Sequence, residues 1–443
     1  MVESNIVRLT HNGVSGFDYH GIIQGHLDLG KIVILESGTT WEISQPLWLR
    51  RGSGLKAEGV ADRYPVTTEV APAGYPINAT VIKLVTISGA PALTNSAVIM
   101  ISPLNIGVAS SNIDPNDSSK YLAPATSDNV FAASLEGLVI DGNNIADYGV
   151  YAYRAHDMSI ENCVFTHTQK HAVYVTACYS GYISHCLAFD NDGCGFTFGF
   201  GDLDFPNLPK WPVTGAQLNG FVVDDIHAVA CGLARTFDDG IISTNPPKWR
   251  DGCGIALRPH RGNVFTKLTS ENNDGANLYL EPTGQSNIIN GYYSELANSH
   301  FVPAGPGGQP PKIKSAIEDE RAAVLWDIVV NLDSENDNVF RAFGNRFENA
   351  LCGGGWIRIL GDIPPVPGRQ GQAMCFANFS GGLGTYADND LYYFENSEPK
   401  YTTEFLPHTS ISSEDAKAPN GIRGSYNGNV LADAGVVAHA NFK

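Results

Sequence analysis

The chain has 443 residues, 47 of them glycine and 25 proline, and a formal net charge of −18 at pH 7. That length can bury a large core, and the glycine and proline content suits a turn-rich β protein. The acidic surplus excludes binding to nucleic acid or to anionic membranes by bulk electrostatics, and a strongly polyanionic substrate would need a local arginine cluster to overcome it. No run of 18 or more apolar residues exists, so nothing reads as a membrane-spanning helix, and the first twenty residues show no signal peptide.

Residues 1–60 read as an N-terminal opening and cap. The chain there runs Phe17-Asp18, Ile22-Ile23-Gln24 and Gly30-Lys31-Ile32-Val33-Ile34-Leu35. A Gly38-Thr39 turn leads into Thr40-Trp41, then come Pro46-Leu47-Trp48-Leu49 and Ser53-Gly54-Leu55-Lys56-Ala57-Glu58-Gly59. This succession resembles the start of the pectate-lyase-like superfamily of β-helices, which includes phage tailspike depolymerases, and the resemblance implies an Asp and a short helix, a Gly-bounded strand, a Gly-Thr turn and further strands. The resemblance implies a polysaccharide-active protein, a homotrimer of the tailspike kind and an extracellular or virion-associated setting. Ala57 stands where that family usually places the first glycine of its last Gly-x-Gly turn.

Residues 61–130, rich in Pro, Ala, Thr and Ser, read as an irregular excursion between early coils and a candidate subunit contact, with one apolar run at Ala97 to Ile101. From 131 to 370 a repeat emerges. Apolar pairs with one residue between them fall at Val150/Ala152, Val173/Val175, Phe196/Phe198, Ile255/Leu257 and Leu278/Leu280, in successive steps of 23, 23, 59 and 23. A second apolar column follows at Ile160, Ile183, Val223, Phe265 and Ile288. Elsewhere 10 residues lead from the first column to the second and 13 lead back; the segments 196–223 and 223–255 exceed those lengths by 17 and 19 residues, so two loops are inserted. Period-2 apolar pairs in coils of about 23 residues, without a helical stretch between them, predict an all-β, right-handed, single-stranded parallel β-helix. Residues 301–323 read as a loop, coils resume near Asn336 to Asp362, and 371–443 reads as a C-terminal cap or oligomer contact. Of the eight cysteines, Cys163 and Cys186 occupy equivalent coil positions and read as small inward hydrophobes.

Two outer faces offer chemistry. On the second column, Val223, Ile226 and Ala228 point inward, and the three-residue step implies a bend that turns both Asp224 and Asp225 outward, followed by an outward His227. Projection by one coil in each direction brings His185 and Lys267 beside Asp225, and both insertions border this strand. On the first column, Tyr151, Tyr174 and Tyr279 face out as stacking platforms for sugar rings, followed by Arg258 and Glu281, which read as an ion pair, a base with its acidic orienter, or a clamp on a substrate carboxylate. The second insertion adds Asp238-Asp239-Gly240 and Trp249, and His260 lies past the next strand. Asp-Asp-Gly ahead of a Gly-Cys-Gly strand resembles the acid pair of β-helix polygalacturonases, although that family's Gly-His-Gly and Arg-x-Lys elements are absent.

Together these residues predict an enzyme that cleaves glycosidic bonds in a polysaccharide by hydrolysis. Asp224 or Asp225 would pair with Asp239 or Glu281 as the two carboxyls, while Tyr151, Tyr174, His185, Trp249, Arg258, His260, Lys267 and Tyr279 bind substrate. The alternatives are β-elimination with Arg258, Lys267 or His260 as base, intramolecular fructosyl transfer, and a glycan-binding tailspike-like protein that does not cut. No cofactor and no metal is assigned; the acidic pairs Asp224/Asp225 and Asp190/Asp192 offer oxygens that Ca²⁺ could take.

Overall fold

The computed structural model describes residues 5–59, 78–87, 97–102, 129–199, 218–232, 252–258, 260–273, 275–281 and 285–295, and beyond residue 300 chiefly strands. It divides into two units, Met1–Asp192 with Phe196–Ile226, and Gly193–Gly195 with His227–Lys443.

In the first unit the strands Leu47–Trp48, Ala97–Ile101, Tyr148–Tyr153 and His171–Thr176 lie side by side in one parallel sheet. Val150 stands opposite both Ile99 and Val173, and Ala152 opposite both Ile101 and Val175, as the repeat read from the sequence requires. The second column forms another parallel sheet, where Ile160 stands between Leu135 and Ile183. All of these side chains are fully buried. Each contributes about 1.5–3 kcal/mol through burial when it is a Val, Leu or Ile.

The second unit repeats the pattern. Ile255 pairs with Leu278 and Leu257 with Leu280, and Leu278 with Ile328 in the next strand. Phe265, however, pairs with Ile289, and Ile289 with Phe347. Ile289 is 1% exposed and Ile288 36%, so the expected column member Ile288 is displaced by one residue. This coil carries one residue more ahead of the strand Ile288–Glu295, and with a side-chain period of two a single extra residue swaps the faces.

The corners rest on single residues in the left-handed region. Asn162, His185 and Asp225 in the first unit, and Lys267, Gly291 and Asn349 in the second, have φ between 51° and 77° at the same place in successive coils. One such residue turns the chain between two strand segments, and apart from glycine, Asn, Asp and His tolerate it best. This corner is why Val223 and Ile226 are both buried with two residues between them.

At the N-terminus the helix His20–Leu27 packs Ile23 and Leu27 into the core. Asp18 accepts hydrogen bonds from the His20 and Ser44 amides at 3.0 and 3.1 Å, and Gln24 bonds both the amide and the carbonyl of Trp48 at 2.7 and 3.1 Å. A strand Ile6–Leu9, not foreseen, pairs with Ile32–Leu35. Within 61–130, read from the sequence as an excursion, Thr80–Leu84 and Ala97–Ile101 are ordinary coil strands in register with Leu138–Asp141 and Tyr148–Tyr153. The rest of that segment and the two insertions, at 200–217 and 233–251, lie outside the described residues. Beyond 300, Phe301–Val302 pairs antiparallel with Lys312–Ile313. Trp326–Asn331, Trp356–Leu360 and Tyr392–Phe394 extend the first-column sheet, and Asn345–Gly353, Met374–Gly381, Thr403–Phe405 and Val436–Ala438 the second. Coil strands therefore continue past residue 370, where the sequence suggested a cap.

Cys163 and Cys186 are reduced and fully buried, in keeping with small inward hydrophobes. Burial pushes the Cys163 thiol well above its ordinary pKa.

Candidate active site

On the second-column face the left-handed Asp225 turns itself and Asp224 away from the core between the buried Val223 and Ile226. His185 Nε2 lies 3.6 Å from Asp225 Oδ2, with side chains 47% and 30% exposed. These groups belong to the first unit; His227, Glu271 and Lys267 belong to the second. His227 departs from the open outward position expected of it. Alternation does turn it from the core, but its ring is buried, with Nε2 3.5 Å from Glu271 Oε2. Lys267 is exposed.

On the first-column face of the first unit, Tyr151 and Tyr174 stand in register and stack at 5.5 Å with a 4° interplanar angle. Tyr148 meets both rings edge-on, and His171 stacks on Tyr148 at 5.6 Å with Nδ1 2.9 Å from Thr197 Oγ1. Tyr151 is 0% and Tyr174 5% exposed, so they are not the open sugar platforms the alternation suggested. Their direction is as expected, but ring packs on ring and the faces are consumed by neighbours.

The same positions in the second unit carry charge. Ala256 pairs with Tyr279, and Arg258 and Glu281 follow on the two strands, with the Glu281 amide donating to Leu257 O at 2.8 Å. Arg258 Nε lies 3.2 Å from Glu281 Oε2, and the Tyr279 hydroxyl donates to Oε1 at 2.9 Å. Arg258 and Glu281 are each 9% exposed. His260 is also buried, and burial, then Arg261 and Arg258, pushes its pKa down to about 4, so its imidazole is neutral at neutral pH. Four functional groups on adjacent coils thus include a carboxylate oriented by two donors and a neutral nitrogen base. Tyr279, expected as a platform, is buried and serves as one of those donors.

A further cluster escaped the sequence reading. His167 Nδ1 lies 2.9 Å from the buried Asp141 and its Nε2 3.4 Å from Asp190; Lys83 stands 3.5 Å from the other Asp141 oxygen. Donation by its ring N–H groups to the Asp141 and then the Asp190 carboxylate holds the His167 pKa up at about 9. Burial, then the Asp190 charge, raises the Asp192 carboxyl. The signal was that His167 and Asp190 lie one coil length apart in the sequence, as Val150 and Val173 do. Asp239 and Trp249 lie outside the described residues. Among the described residues no three His, Cys, Asp or Glu side chains gather so as to hold a metal ion, and no helix is long and apolar enough to cross a membrane.

A family model described as a right-handed beta helix region matches residues 98–204. No curated protein sequence matches the chain. Among solved structures, the chain is similar to a tailspike protein from the Acinetobacter baumannii bacteriophage Fri1, titled a capsular polysaccharide depolymerase, at 8% identity and TM-score 0.47, covering 92% of this chain and 60% of that one. It is similar to an alginate lyase from Paenibacillus sp. at 9% identity and TM-score 0.36, covering 90% and 93%. A surface adhesin of Streptococcus pneumoniae gives 8% identity and TM-score 0.43, covering 91% and 89%. The chain spans about three fifths of the length of the first two structures found, 61% and 60%. Stacked parallel strands in register and the matching family model identify the chain as a right-handed parallel β-helix protein.

Proposed function

We propose that this protein is an enzyme that cleaves glycosidic bonds in a polysaccharide, by hydrolysis, with Glu281 as one of its carboxyls. The observation that carries the reading is the buried constellation of Glu281, Arg258 and Tyr279 on outward positions of adjacent coils. A structural coil exterior gains little from a buried ion pair, whose desolvation cost roughly cancels its attraction, so such a pair on an outer face points to use. Glycoside hydrolysis needs a protonated carboxyl to assist the leaving oxygen and an ionised one to attack or to activate water. Arg258 and Tyr279 fix the Glu281 carboxylate for one of these roles, and Asp239 is the candidate for the other, to be tested by Asp239→Asn. The names of the tailspike depolymerase and the alginate lyase agree with a polysaccharide substrate.

β-Elimination is the second reading, favoured by His260, a neutral base beside the Arg258 cation that could neutralise a uronate carboxylate. A screen of purified protein against a polysaccharide panel separates the two. Release of reducing ends without the ultraviolet absorbance of an unsaturated uronate supports hydrolysis; release with it supports elimination. A cyclic product without reducing ends supports fructosyl transfer, and binding without any product removes the enzymatic reading. The proposal includes a homotrimer in an extracellular or virion-associated setting, and light scattering that gives the mass of one chain removes the trimer.

A further inference from the structure

The pattern Asp-Gly-Cys-Gly occurs twice, at Asp192-Gly193-Cys194-Gly195 and at Asp251-Gly252-Cys253-Gly254, each leading into a first-column pair at Phe196 or Ile255. Cys194 and Cys253 therefore hold the same position in their coils, and both belong to the second unit. Their sulfurs are 3.5 Å apart, both side chains are buried, and neither is in a disulfide. The flanking glycines allow this approach. The Gly195 amide donates to Cys253 O at 3.1 Å, and a Cβ at Gly195 would come within 2.5 Å of Gly254 O and 3.1 Å of Cys231 Sγ. At Gly254 a Cβ would overlap the Ser270 hydroxyl, and at Gly275 it would lie 2.9 Å from the Cys253 amide. Small residues draw the backbone together around the two sulfurs, and neighbouring parallel strands set their Cα atoms about 4.8 Å apart, inside the range a disulfide accepts.

We propose that Cys194 and Cys253 form a redox-controlled cross-link, closed by exchange with a small-molecule disulfide and opened by a thiol reductant. One protein thiolate attacks the small disulfide, forms a mixed disulfide and expels one small thiolate. The second protein thiolate then attacks the protein sulfur of that mixed bond and expels the other. The protein pair loses two electrons and two protons, and the small disulfide becomes two thiols. The bond closes a span of 59 residues that contains both inserted segments, so oxidation would fasten the chain on either side of them. The Cys163 and Cys186 sulfurs are directed at backbone carbonyls, Glu161 O at 3.2 Å and Ser184 O at 3.1 Å.

The test warms the full-length protein with oxidised glutathione to just below its melting midpoint, alkylates the remaining thiols and maps peptides without reduction. The expected result is a Cys194–Cys253 peptide, two fewer alkylated thiols than in a reduced sample, and alkylated Cys163, Cys178 and Cys186. The melting temperature should rise on oxidation and fall back on reduction, and the Cys194→Ser, Cys253→Ser double variant should lose this response. Full alkylation of Cys194 and Cys253 after the oxidant treatment, or recovery of Cys194 joined to Cys231, would overturn the proposal.

Discussion

The outer face of the first-column sheet carries rings in one unit and charge in the other. Tyr151 and Tyr174 in the first unit answer to Ala256 and Tyr279 in the second, and Tyr153 and Thr176 answer to Arg258 and Glu281. The register is the same, yet the first set stacks at 5.5 Å while the second places a guanidinium 3.2 Å from a carboxylate. The comparison teaches that the coil sets where an outward residue stands, while its chemistry is left open. Buried rings stabilise through area and stacking, whereas a buried ion pair is close to neutral for stability and is retained more readily where it is used.

The comparison can be broken by substitution. The largest effect is expected from Glu281→Ala, which leaves the Arg258 charge buried without its carboxylate and should cost about 3–5 kcal/mol in a denaturant titration. A loss below about 1 kcal/mol, the range of exposed pairs, would place the pair in solvent and dissolve the contrast. Tyr151→Ala should follow at about 3 kcal/mol, because a fully buried ring leaves a cavity. Were the ring an open platform, stability would hold within about 0.5 kcal/mol and substrate affinity would fall instead.

The two perturbed histidines sharpen the comparison through pH. His167 has its pKa raised from 6.5 to about 9, so its contribution is complete below 6.5 and is lost as pH rises through about 9. His260 has its pKa lowered from 6.5 to about 4, so its contribution is complete above 6.5 and is lost as pH falls through about 4. Melting profiles of His167→Asn and His260→Asn should therefore converge with the parent at opposite ends of the pH scale, and convergence at the same end would refute one assignment. Asp225→Asn should change least, within about 1 kcal/mol, because its His185 pair is exposed and Asn accepts the left-handed corner.

Much of the fold was legible because its signal is periodic. Val150 and Val173, and again Ile255 and Leu278, lie one coil apart in the sequence, and all four are inward. The bend at Asp225 was legible from the three-residue spacing of Val223 and Ile226. Ile288 was misplaced because one extra residue in its coil breaks the count, and its neighbour Ile289 is the better-buried of two adjacent isoleucines. For Tyr151, Tyr174 and His227, alternation gave direction but not depth: whether an outward side chain is covered depends on neighbours that no period encodes. The Asp141, His167 and Asp190 cluster was missed because His167 and Asp190 sit on left-handed corners, where side chains leave the alternating pattern.

The central claim is that the charged face of the second unit performs the chemistry. It is tested most directly by the turnover of Glu281→Gln beside that of Asp225→Asn on one cleaved polysaccharide, with folding verified by melting temperature. The account predicts that Glu281→Gln loses turnover by about 10²- to 10⁴-fold, the usual contribution of a positioned acid or base. Near-native turnover in a folded Glu281→Gln protein, with collapse in Asp225→Asn, would contradict it and move the site to the second-column face.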